Sequence, residues 1–133
     1  MKLSEAIRLG PAIAPAIYGP VFKRDWRGQV CGACRAGATV LAAGYRPSCD
    51  GMADWYGVQD FIKQVWPWTD QLCGHYPFSL GVATGIALLH ENRRWSADQI
   101  ADYIERLEQR YDPATIDVAP HVAGDATQLQ EVL

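Results

Sequence analysis

The sequence predicts an all-α protein: a single small helical domain spanning residues 1–133, with about five helices, long irregular connections and a docked C-terminal tail. Three observations predict it. Ser96 followed by Gln99 forms a capping box, opening a segment that places Ile100, Ile104 and Leu107 on one helical face. Val58, Phe61, Ile62 and Val65 recur at spacings of three and four. Residues 30–43 carry only Arg35 as a charge among alanines, Val40 and Leu41, the pattern of a helix buried on nearly every side. At 133 residues the chain can bury roughly two thirds of its unfolded surface without metals or disulfides.

Taken in order, residues 3–9 read as a first helix with Ser4 as N-cap, stopped by Gly10 and Pro11. Residues 11–30 hold Pro11, Pro15 and Pro20, two glycines and a charged cluster, which predicts an extended, irregular Pro-rich arm. The buried helix of residues 30–43 follows, with Gly44 as its stop. A loop marked by Pro47, Ser48 and Gly51 leads to a helix over about 55–66, closed by Pro67. Residues 67–77 form another connection. A helix over about 79–91, a short turn at 92–95 and the capped helix over about 97–110 complete the core. On that last helix Asp98, Asp102, Glu105 and Glu108 fall mostly outward, and Trp95 stands where a hydrophobic staple to Ile100 would form. The tail, 112–133, spaces Ile116, Val118, Val122 and Leu129 among loop residues, as expected of a segment docked on the core or on a partner.

Charge narrows the function classes. Residues 1–50 hold seven Lys or Arg against three Asp or Glu, a balance of +4, while residues 51–133 hold five against twelve, a balance of −7. The net charge of −3 argues against a generic nucleic-acid binder. A basic patch at Lys23, Arg24 and Arg27 is the place where an acidic partner would meet the chain. Residues 76–89 are free of charge but shorter than the roughly 20 residues of a spanning helix. Glu5 and Arg8 interrupt the position of an export-signal core. The expectation is a cytoplasmic protein without membrane association, with its four cysteines reduced.

Cys31 and Cys34 have the two-residue spacing of zinc knuckles and redox pairs, and Cys73 with His75 would complete a metal set. The plainer reading makes Cys34 a small buried hydrophobe within a packed helix, with Cys31 near that helix's start and no cofactor. His75, His90 and His121 stand at no telling distance from a nucleophile, although Cys34 or Cys49 could join a spatially assembled site. The helices flanking residues 92–95 invite a DNA-binding helix-turn-helix reading, but the second carries four acids against Arg106 and Arg110. Aromatic residues crowd positions 55–78, and the corner at Trp66, Pro67 and Trp68 is the part expected to be exposed for interaction.

The opening residues 3–10, the Cys-and-Ala segment 31–44, the Trp66–Trp68 corner and residues 87–105 with Trp95, Ser96 and Gln99 together resemble a family of short uncharacterised bacterial and prophage-type proteins. The resemblance covers most of residues 3–107, its motifs are structural, and it implies no activity. Many members carry a Cys-Pro-x-Cys pair and histidines that suit a zinc knuckle; here Tyr76 and Arg93 stand at two of those positions. The expected function is that of a non-enzymatic protein-interaction or self-associating module of phage or mobile-element origin. The alternatives are a degenerate zinc-binding domain using Cys31, Cys34, Cys73 and His75, and a helix-turn-helix regulator.

Overall fold

In the computed structural model, which describes residues 1–48 and 51–118, the chain opens with helix α1 (Leu3–Ile13). Leu3, Ala6, Ile7 and Gly10 form its buried face, and it packs chiefly against α2 (Arg35–Ala42) and α5 (Ala97–Tyr111). Gly10 does not stop this helix. It lies against Ala38, where an added Cβ would come to 3.2 Å, so it serves a close approach of two helices. Pro11 falls in the last turn, on the exposed side, where its lost N–H and steric demand disturb little. Ser4 is not the cap either. Its backbone N–H and hydroxyl both donate to the Glu108 carboxylate of α5, at 3.1 and 2.5 Å. An acid from a distant helix thus satisfies one N-terminal backbone donor of α1 and stands at the positive end of its dipole.

The fold is mainly α and not purely so. Strands β1 (Phe22–Arg24) and β2 (Val30–Ala33) form an antiparallel pair inside the stretches expected to be arm and helix. Residues 15–17 run parallel to β2: Ile17 N–H donates to the Ala33 carbonyl and Ala33 N–H to that of Pro15. The arm is therefore tied down through most of its length. Helix α2 begins only at Arg35, with Cys34 as its N-cap accepting from Gly37 N–H at 3.4 Å. Runs of Ala, Gly and Cys lack the periodicity that separates strand from helix, whereas the turn chemistry of residues 25–29 does specify a hairpin.

Helix α3 (Gly51–Val65) is followed by a 3-10 helix (Pro67–Leu72), then α4 (Val82–Glu91), α5 and a short α6 (Pro113–Val118). The 79–91 helix starts three residues late because residues 78–81 form a turn in which Gly81 N–H bonds the Phe78 carbonyl and Gly81 adopts φ +111°. The capping box at Ser96 and Gln99 is present in both directions. Trp95 packs edge-on against Tyr103, ring centroids 5.8 Å apart. Asp112 ends α5 and caps α6, accepting from Ala114 N–H at 3.0 Å. The docked tail expected over 112–133 lies, beyond residue 118, outside the described residues, as do His121, Val122, Leu129 and Cys49.

Candidate interaction surface

The hairpin tip is built by local chemistry. The Asp25 carboxylate accepts from the N–H groups of Arg27 and Gln29 at 2.8 and 3.0 Å, an Asx-type turn that fixes the loop. Asp25 N–H bonds the Gln29 carbonyl, Gly28 N–H bonds the Asp25 carbonyl, and Gly28 takes φ +81°, which glycine adopts without steric penalty. Arg24 locks this tip to the domain. It donates to the Gly28 carbonyl at 3.1 Å, to the Ser48 carbonyl, and to the buried Asp54 carboxylate of α3 at 2.8 Å. At the base, Gly37 lets α2 meet the strand, since a Cβ there would stand 2.5 Å from the Val21 carbonyl oxygen.

This scaffold presents Trp26, which is 87% exposed, with the Arg27 guanidinium 4.7 Å from its ring centroid. Lys23 is exposed beside them. Of the three predicted basic residues, Lys23 and Arg27 are free to meet a partner, while Arg24 is spent on the fold. Trp26 was not singled out in the sequence. Its signal was nonetheless there: a tryptophan inside a Asp25–Gly28 turn has nowhere to bury.

The predicted aromatic site is corrected. Trp66 and Trp68 are both buried, and only Pro67 between them is exposed. The Trp66 indole N–H donates to the Met1 carbonyl at 3.0 Å, and the Phe61 ring packs against it edge-on. A small domain short of large aliphatic residues uses both rings as core. They also line, with Lys2, Glu5 and Asp112, an open groove of about 690 Å³.

The proposed metal set is not brought together. Cys34 is buried at the start of α2, Cys31 is exposed on β2, Cys73 is half-buried and His75 is exposed. Among the described residues no three His, Cys, Asp or Glu side chains converge on a point that could hold a metal ion. Burial pushes the Cys34 thiol up from its ordinary value, which makes it a poor nucleophile. On α5, Glu108 is buried instead of outward, and Asp102 and Glu105 pair with Arg8 at 2.6 and 3.1 Å. No helix among the described residues is long and apolar enough to cross a membrane.

The burial of two polar residues was not expected from the sequence. Arg35 and His90 are each 7% exposed, and Arg35 Nε and His90 Nδ1 have no hydrogen-bond partner among the described residues. The Tyr18 ring stacks on His90 at 4.7 Å and 4°, and Arg94 covers Tyr18 at 4.7 Å. A scan against known protein families and searches of curated proteins and of solved structures found nothing that matches this chain.

Proposed function

We propose that the protein is a non-enzymatic binding module that docks an acidic surface of a second protein through the tip of the β1–β2 hairpin. The observation that carries this reading is Trp26, an exposed indole under an arginine, held on a turn whose every backbone donor within residues 27–29 is engaged. Tryptophan and arginine dominate the energetically decisive positions of protein interfaces. A tip pinned by Arg24 loses little freedom on binding, which leaves more of the contact energy as affinity. The charge of Lys23 and Arg27 selects an acidic partner and speeds its encounter.

The test compares immobilised wild-type protein with Trp26→Ser and Arg27→Glu variants for capture of proteins from cell lysate at low and high salt, with sedimentation to detect a second copy as the partner. The expected result is capture or self-association that weakens with salt and falls about thirtyfold in Trp26→Ser. An unchanged captured set in both variants, or a monomer that captures nothing, overturns the reading.

A further inference from the structure

The groove beside the Trp66–Trp68 corner is bounded by three stretches that lie far apart in the chain: Lys2 and Glu5 at the start of α1, the corner from Val65 to Trp68, and Pro113 with Ala114 at the start of α6. These walls are braced against one another. The Trp66 indole N–H donates to the Met1 carbonyl, and Ser4 donates twice to Glu108 of α5, the helix that leads into α6. A surface held in this way exists before anything binds it, which lowers the cost of binding. Its rim is apolar: Val65 is 42% exposed, and Pro67, Pro113 and Ala114 are exposed. At about 690 Å³ the groove falls within the roughly 300–1,000 Å³ of pockets that enclose a whole small ligand. It has room for an indole with a guanidinium stacked on it.

Groove and hairpin tip are opposite in charge. The stretches that bound the groove, residues 1–5, 65–71 and 112–114, carry Glu5, Asp70 and Asp112 against one basic side chain, Lys2. At the tip, Arg24 is paired with Asp54 and the Asp25 carboxylate is taken up by the turn, which leaves the charges of Lys23 and Arg27 beside Trp26. Among the described residues Trp26 is also the most exposed large apolar side chain. The two features do not meet within one molecule. Arg24 pins the tip to Asp54 in the first turn of α3, whereas Val65 is the last residue of that helix. The helical rise from position 54 to position 65 separates them by roughly 16 Å.

We propose that the acidic partner of the hairpin tip is a second copy of this chain, and that Trp26 and Arg27 of one copy seat in the groove between α1, the Trp66–Trp68 corner and α6 of the other. This rests on the docking role proposed for the tip and names its partner. The indole covers the apolar rim at Val65, Pro67 and Pro113, while Lys23 and Arg27 face Glu5 and Asp70. The contact joins two different patches, so copies associate tip to groove, either reciprocally in a closed pair or onward in a chain. A single protruding loop buries less area than a standard interface, which places the association in the weak, reversible class.

The test is sedimentation equilibrium of the full chain at concentrations up to about 0.5 mM, at low and high salt. The expected result is reversible association that weakens with salt, and that is about thirtyfold weaker in Trp26→Ser and in Val65→Lys. Both residues are exposed, so the variants keep the fold, which circular dichroism checks. The decisive measurement mixes the two variants. Trp26→Ser supplies an intact groove and Val65→Lys an intact tip, so the mixture associates more tightly than either variant alone. A monomeric wild type, association indifferent to Val65→Lys, or a mixture no tighter than its components overturns the proposal. A monomeric wild type that still captures a lysate protein through Trp26 overturns this proposal alone and leaves the docking role standing; the groove then belongs to residues 119–133 or to a different protein. Self-association and capture that are both unchanged in Trp26→Ser overturn the two together.

Discussion

Glu108 concentrates the energetics of one residue. It is fully buried, and its two oxygens take both the hydroxyl and the backbone N–H of Ser4, 104 positions earlier in the chain. Burial pushes the carboxyl up from its ordinary value, Ser4's two hydrogen bonds pull it down, and burial prevails. A carboxyl whose folded pKa exceeds its unfolded one holds its proton more tightly in the folded state. Its contribution to stability is therefore complete below the ordinary carboxylate value and is lost as pH rises through the folded value. Glu108→Gln keeps an acceptor for Ser4 but cannot ionise. Urea midpoints measured from about pH 4 to about pH 8 should show the wild type losing ground against the Gln variant as pH rises, with a flat difference counting against this account. Glu108→Ala, which strands two buried donors, should cost about 1–3 kcal/mol per unsatisfied group.

The hairpin and α2 show what an element-scale reading of the sequence can and cannot reach. Helix α5 was legible almost to the residue, because its capping box, its apolar stripe and Asp112 before Pro113 are all local signals. Residues 30–43 misled because small apolar residues fit strand and helix alike, and the element changes at Cys34. The Trp66–Trp68 corner was misplaced for a different reason: burial of an indole is decided by neighbours far away in sequence, here Met1. The basic half of the candidate site was legible from Lys23 and Arg27, whereas the division of labour between them and Arg24 depends on Asp54, thirty residues on. Gly37 is where hairpin and helix meet, and it gives the element its own prediction. Gly37→Ala should raise helix propensity by nearly 1 kcal/mol yet destabilise the protein by about 1–3 kcal/mol, since the new methyl meets the Val21 carbonyl and the Phe22 ring. Thermal melts of the variant check the sign; a gain in stability would mean that the hairpin shifts freely against α2.

At the scale of the whole molecule, α1 joins the two halves of the chain. Its buried face packs against α2 from the basic N-terminal half and against α5 from the acidic C-terminal half. Across that second contact run the Arg8 pairs with Asp102 and Glu105 as well as the Ser4–Glu108 bonds. Arg8 is a third exposed and its partners more so, so the pairs orient the helix and contribute well under 1 kcal/mol each. The apolar contacts dominate. Ile7, with no exposed surface, lies in the middle of this face. Ile7→Ala should lower global stability by about 2–5 kcal/mol. The more telling measurement is native-state amide exchange, which reports each segment's own opening free energy. If α1 couples the halves into one cooperative unit, protection at Val40 in α2 and at Ile104 in α5 should fall together, and by the same amount as the global loss. A fall confined to one helix would show instead that the halves open separately, and that the charge contrast between them is carried by two cooperative units.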